Sequence, residues 1–150
     1  MVGRLIMTLT DAQFKILKDR LSRTEGRRNR PYVDTVGKIT IGIGHNLTDR
    51  GLSEQTIDAI FAEDIAQAQI DAVKVPVYLE LDPIRQTVLI DMIFNMGLDK
   101  FLEFHKFIGY LSRRDYNGAA DEMLLSAWAR QVGHRAVELA NIIRSGSIGS

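Results

Sequence analysis

Between Glu25 and His45 the chain changes its period, and that change constrains the fold more than any other feature. Upstream, Phe14, Leu17 and Leu21 recur at helical spacing and mark one face expected to be buried. Thr10 to Gln13 reads as a capping box that opens this helix, and Gly26 can end it. Glu25, four residues after Leu21, falls on the same face, where a carboxyl has to be paired or neutral unless the helix end frays and turns it into water. Downstream, Ile39, Ile41 and Ile43 alternate with Thr40, Gly42 and Gly44, the two-residue period of a strand. Tyr32-Val33-Asp34 and Ile39-Thr40-Ile41 bracket Thr35-Val36-Gly37-Lys38, which predicts a hairpin with Gly37 at a positive-φ position. The isoleucines are expected to face the core. The other face offers one hydroxyl and two positions without a side chain. Glycines inside a strand mark a bulge, tight packing or the close approach of a ligand, so this face reads either as packing or as a groove floor beside Thr40.

The rest of the chain reads as helical. Ser53 caps a helix in which Ile57, Ile60, Phe61, Ile65 and Ala68 form a stripe, running to about Val73 ahead of Pro76. Asp82-Pro83 opens another, apolar nearly all round from Ile84 to Met96 and ended by Gly97, so it is expected at the centre of a helical lobe. Shorter helices follow near 104–113, 115–125 and 134–144, with Asp115 as a cap, Gly133 as a break and Trp128 as a core anchor. The predicted class is α+β, mostly α. It is one domain, 1–150, with a small β lobe over about 26–52, a bridging helix over about 53–73, and a helical lobe made of 1–25 and 74–150.

Composition removes several classes. At 45% hydrophobic and 25% charged the chain is globular rather than disordered. No apolar run approaches a membrane span, so stable membrane insertion is not expected, and Leu5-Ile6-Met7 is too short for a signal-peptide core. The absence of cysteine excludes disulfides and Cys-ligated zinc. His45, His105 and His134 lack metal-ligand spacing, so neither a metal nor a cofactor is expected. The formal net charge of zero conceals a basic first third: residues 1–50 hold ten Lys/Arg against five Asp/Glu, and residues 51–103 hold three against ten. That balance, with Arg27, Arg28 and Arg30 clustered, suits an anionic partner such as a wall polymer; composition alone favours a solvated surface with uneven charge, and a nucleic-acid partner ranks last.

The residues that carry chemistry are Glu25, Asp34 and Thr40. Two carboxylates on different elements across a groove are what general acid/base hydrolysis of a glycosidic bond requires. Glu25, on the apolar side of its helix, is expected to be desolvated and held protonated, while Asp34 at the hairpin end stays ionised, a division that separates acid from base.

These residues also carry a resemblance. Glu-Gly-x(5)-Tyr-x-Asp-x(2)-Gly-x(2)-Thr-Ile-Gly-Ile-Gly-His, over residues 25–45, resembles the signature of the phage-type lysozymes, glycoside hydrolase family 24, of the T-even coliphage kind. Pro76-Val77-Tyr78, Leu81-Asp82, Phe94-Asn95-Met96-Gly97, and Trp128 with Gln131 and Arg135 are similar to the family in the same order, so the likeness spans roughly 10–144. It implies a lysozyme-like two-lobe fold and a muramidase that cleaves the β-1,4 bond between N-acetylmuramic acid and N-acetylglucosamine in peptidoglycan. It further implies Glu25 as general acid, Asp34 as second carboxylate and Thr40 as the hydroxyl that places the attacking water. Arg135 would pack against Glu25, Asn46 and Phe94 would border the sugar cleft, and His45 would support the hairpin. The family's outcome is inversion, which needs carboxylates far enough apart to admit water. The chain departs from the family between His45 and Pro76, where it is shorter and implies a trimmed small lobe. A longer N-terminal segment implies a longer first helix. The expected partner is peptidoglycan, the expected state a monomer, and the expected place the host cytoplasm before holin-type release to the wall. A lytic transglycosylase, or a catalytically silent glycan-binding module on the same fold, is the alternative.

Overall fold

The structure is a computed structural model and describes residues 8–149. Leu5-Ile6-Met7 and the start of the chain, on which the signal-peptide expectation rests, lie outside the described residues. Among those described are nine α-helices, one 3-10 segment and a three-stranded antiparallel sheet, so the protein is α+β and mostly α. The chain divides into two compact units, Met1–Ile57 and Asp58–Ser150.

In the first unit, α1 (Asp11–Glu25) opens with both halves of a capping box: the Gln13 N–H donates to Thr10 Oγ1 at 3.1 Å, and the Thr10 N–H donates to Gln13 Oε1 at 2.9 Å. Gly26, at φ 78°, ends it. The sheet runs in the order β1 (Arg28–Val33), β2 (Ile39–Gly42), β3 (His45–Asn46). Val33 stands opposite Ile39, Tyr32 opposite Thr40, and Ile41 opposite His45. The short helix α2 (Leu47–Arg50) follows directly, capped by Asn46.

Two expectations for this unit are corrected. The stripe of Phe14, Leu17 and Leu21 was expected to be a buried face, yet no residue of α1 is buried, and Phe14 is 58% exposed. Its own unit has no buried apolar side chain among the described residues for the stripe to pack against. The run from Ile39 to Gly44 is not one strand. Gly42 (φ 70°) and Gly44 (φ 71°) adopt the left-handed region and reverse the chain, so β2 stops at Gly42 and β3 folds back on it. Ile41 and Ile43 are half-buried and Gly44 is exposed, but the start of the strand runs the other way. Thr40 is the buried residue at 3% exposure, while Ile39 is 49% exposed.

In the second unit lie the greater part of α3 (Glu54–Val73), the 3-10 segment Pro76–Glu80, and α4 (Pro83–Met96) through α9 (His134–Ser145). Here α5 is Leu98–Leu102, α6 His105–Ser112, α7 Tyr116–Leu125 and α8 Ala127–Val132. Every buried apolar side chain among the described residues belongs to this unit. α7 packs on both α6 and α9, and α9 on α4 and α8. The centre is Val88, Leu89, Met92 and Ile93 of α4 with Phe101, Phe107 and Ile143, each worth about 1.5–3 kcal/mol of transfer from water. α4 is not buried all round, however: Phe94 is 41% exposed. Of α3, only Ala68 and Ala72 are buried.

Arg85 ties three helices of this unit together. Its Nε donates to the Ile143 carbonyl at 2.6 Å, its guanidinium lies 3.6 Å from the Tyr116 ring centroid, and its Nη1 pairs with Asp82 at 2.9 Å. The positive charge thus sits at the C-terminal end of α9, where the free carbonyls and the helix dipole favour it. Gly146 makes room, since a Cβ there would come within 2.8 Å of Arg85 Nη1. Burial works to raise the Asp82 carboxyl, but the hydrogen bonds from the Arg85 backbone and side chain, and its charge, outweigh that and hold it below the ordinary value of 3.8. A depressed carboxyl stabilises the fold above its ordinary value and loses that contribution as pH falls through the folded one. Asp82→Ala should therefore lose the N-cap, about 1 kcal/mol, together with the ion pair. Asp82→Asn keeps the cap and loses only the pair, a smaller effect because Asp82 is 38% exposed. Thermal melts should show wild type above Asn above Ala near neutral pH, with the first gap closing as pH drops well below 3.8.

Candidate active site

Glu25 is the last residue of α1, and the turn at Gly26 brings its side chain onto the β2–β3 turn. A Cβ built on Gly44 would stand 3.0 Å from Glu25 Oε2 and 3.2 Å from Cδ. The carboxyl therefore occupies the space that any side chain at position 44 would fill. Burial among Phe14, Leu17 and Leu21 was expected for this residue. Glu25 is instead exposed, because that stripe is itself uncovered and its near neighbour is glycine backbone.

Asp34 begins the β1–β2 turn and organises it. Its Oδ1 accepts the Val36 N–H at 3.0 Å and the Lys38 N–H at 2.8 Å, while its own N–H donates to the Lys38 carbonyl at 2.9 Å. Gly37 follows at φ 86°. This is an Asx turn, in which the carboxylate stands in for a backbone acceptor. Among the described residues nothing bonds Oδ2, so one oxygen holds the hairpin and the other is open. Thr40 lies on β2 with its hydroxyl donating to the Lys38 carbonyl at 3.2 Å. Its proton is thus committed and its lone pairs remain as acceptors. Of the two readings of this face, packing or a groove floor, the burial of Thr40 favours packing at that position.

His45 and Asn46 serve the same corner. A carbonyl only accepts, so the 2.6 Å contact between His45 Nε2 and the Gly51 carbonyl places the proton on Nε2. Asn46 Oδ1 accepts the Asp49 N–H at 3.0 Å and its Nδ2 donates to Asp49 Oδ2 at 2.9 Å, so its amide is engaged in capping α2. Thr48 Oγ1 accepts the Ile39 N–H at 2.8 Å, and Lys38 pairs with Asp49 at 3.0 Å. Thr48 and Asp49 have no place in the sequence reading; the Asn46-to-Asp49 spacing, that of a helix N-cap, was the available signal.

Phe94 and Arg135 belong to the second unit. Phe94 stands edge-on to Phe61, with centroids 5.9 Å apart, in an apolar groove of about 380 Å³ that Ile65, Ile90, Asp91 and Arg135 also line. Arg135, from α9, donates through Nε and Nη2 to Asp91 Oδ1. Asp91 is the partner that sequence reasoning missed, although it is the one charge in the run from Val88 to Met96. A hollow of about 470 Å³ lies on the other side of α4, lined by Asn95, Lys100, Glu103, Phe104, Trp128 and Gln131, with Trp128 Nε1 donating to Asn95 Oδ1 at 2.9 Å. Among the described residues no group of three or more acidic, histidine or cysteine side chains is placed to hold a metal ion. No helix described is long and apolar enough to cross a membrane.

The phage lysozyme family model matches residues 22–144, which include all seven of these side chains. The chain belongs to the phage lysozyme family. It is 27% identical to the probable T4-type lysozyme 1 of Dictyostelium discoideum, across 89% of this chain and 96% of that one. It is 33% identical to the endolysin of Salmonella phage P22, across 71% of this chain and 77% of that one. The pre-baseplate central spike protein of Enterobacteria phage T4 is 28% identical over 89% of this chain, which spans only 28% of that protein. For a phage lysozyme the two carboxylates are held here in different ways: Glu25 by the backbone beneath it, Asp34 by the turn that it builds.

That difference is measurable. Asp34→Asn keeps an acceptor at Oδ1 and should leave the hairpin intact. Asp34→Ala leaves the Val36 and Lys38 N–H groups without it and should cost about 1–2 kcal/mol, two ordinary hydrogen bonds partly replaced by water. Denaturant melts and amide exchange at Val36 and Lys38 would separate the two variants; equal stability would show that the turn does not depend on the carboxylate.

Proposed function

We propose that this phage lysozyme hydrolyses the β-1,4 bond between N-acetylmuramic acid and N-acetylglucosamine in peptidoglycan, with inversion. The observation that carries the reading is the pair of carboxylates on the first unit. Glu25 ends a helix with its carboxyl exposed, and Asp34 keeps one oxygen open while the other is pinned by two N–H groups. In this reading Glu25 protonates the leaving glycosidic oxygen, and Asp34 receives the proton of the water that attacks the anomeric carbon from the opposite face. Thr40, as an acceptor, orients that water. The bond to the leaving oxygen breaks as the bond to water forms, and the hydrolysed chain ends carry one added water between them. On the family's pattern Asn46 and Phe94 are assigned to sugar binding, and Arg135, which Asp91 holds, is a supporting residue.

The same proposal makes the protein a phage or prophage lysis enzyme, monomeric, that collects in the host cytoplasm and reaches the wall after holin-type release. The likeness to a phage endolysin supports this role, and the likeness to a baseplate spike protein supports a tail-associated form of it.

Clearing of outer-membrane-stripped cell walls by wild type and Glu25→Gln tests the mechanism. The glutamine keeps shape and removes the ionisable proton, so activity should fall at least about a hundredfold with the melting temperature unchanged or slightly raised. An active Glu25→Gln enzyme would sink the assignment, and 1,6-anhydro ends in the product would replace hydrolysis with transglycosylation. A second outcome concerns charge. With ten Lys/Arg against five Asp/Glu in residues 1–50, clearing should weaken as salt rises above about 0.15 M, where the Debye length is about 8 Å. A flat salt profile would leave the cluster at Arg27, Arg28 and Arg30 as solvated surface.

A further inference from the structure

Gly42, at the end of β2, and Gly44, in the turn after it, share a positive φ, 70° and 71°, yet their surroundings differ. A Cβ at Gly42 meets nothing within 4 Å, whereas one at Gly44 meets Oε2, Cδ and Cγ of Glu25 at 3.0, 3.2 and 3.4 Å. Backbone conformation alone asks for glycine at both positions. Only Gly44 has a second demand, and it comes from the carboxyl. We infer that Gly44 is a positioning residue for Glu25: its bare Cα is the surface on which the acid rests, and the missing side chain sets where the carboxyl points.

The physical argument turns on which partner yields. A contact at 3.0 Å from a new Cβ has to open, and the side that gives is the far end of a flexible glutamate rather than the turn. Glu25 is exposed and among the described residues no hydrogen bond holds its carboxyl, so no polar partner resists the shift. Elsewhere in this corner orientation is enforced by hydrogen bonds, as at Asp34, His45 and Asn46. At Glu25 it is enforced by shape. A few tenths of an ångström relieve such a contact, and proton transfer needs hydrogen-bond distance to the leaving oxygen, so even that shift slows the step. A side chain at 44 therefore costs the fold little beyond what it costs at 42, and costs the reaction far more.

This inference rests on the reading of Glu25 as the acid, and the experiment separates the two. Gly42→Ala, Gly44→Ala and Glu25→Gln are compared for wall-clearing kcat and KM, pH–rate profile, and melting temperature. Gly42→Ala measures the effect of left-handed backbone strain alone. Gly44→Ala should melt within a few degrees of it yet have kcat several-fold lower, with KM little changed. Equal kcat in the two alanine variants overturns the positioning role, even with Glu25→Gln inactive. An active Glu25→Gln overturns the acid assignment and this inference with it. If Gly44→Ala does not fold, Glu25→Ala/Gly44→Ala decides. Removing the carboxyl should restore stability to the level of Gly42→Ala, and a double variant that still fails to fold overturns the contact.

Discussion

One carboxylate oxygen, Asp34 Oδ1, carries two backbone N–H groups, and the β1–β2 hairpin depends on it. The first unit has no buried apolar side chain among its described residues, and its one buried residue is a threonine. Its shape is therefore set by turns, caps and left-handed glycines rather than by an apolar core. Two N–H groups fix the carboxylate of a candidate site residue while they close the turn. This explains how a charged side chain can be held still without being buried: its charge is answered by fixed N–H dipoles instead of by a countercharge. Glu25 is the opposite case: among the described residues nothing bonds the carboxyl, and its near neighbour is the bare Cα of Gly44.

The second unit is held by burial. Val88, Leu89, Met92 and Ile93 present one face of α4 to α9 and its neighbours, and Arg85 closes the end of that layer through carbonyls of α9 and the ring of Tyr116. Such a guanidinium is well used, since its stem and planar head pack while its donors meet acceptors. The other face of α4 is treated differently. Phe94 is left half in water with Phe61, and Asp91 with Arg135 places an ion pair beside them.

Local chemistry was legible. The capping box at Thr10 and Gln13, the glycine stop at Gly26, the cap and N1 proline at Asp82-Pro83, the cap at Asp115 and the positive φ at Gly37 all act between residues a few positions apart. The helices α2, α5 and α8 and the 3-10 segment were not read, because stretches of four to six residues show too little periodicity to stand out. The strand from Ile39 to Gly44 misled for another reason. Alternation says that two faces exist and not which is inward, and it cannot register a chain reversal when the reversing residues have no side chain.

The sequence by itself determined the family, the class of fold, and the order in which carboxylates, hydroxyl and glycines appear, since each depends on residue identity and short spacing. Only the tertiary structure decided that Thr40 rather than Ile39 is buried, that Arg135 grips Asp91, and that Glu25 lies over Gly44 and not among leucines. Those contacts join residues from 19 to 44 positions apart. They are selected by which surfaces meet when the elements pack, a competition among faces that no single stretch of chain contains.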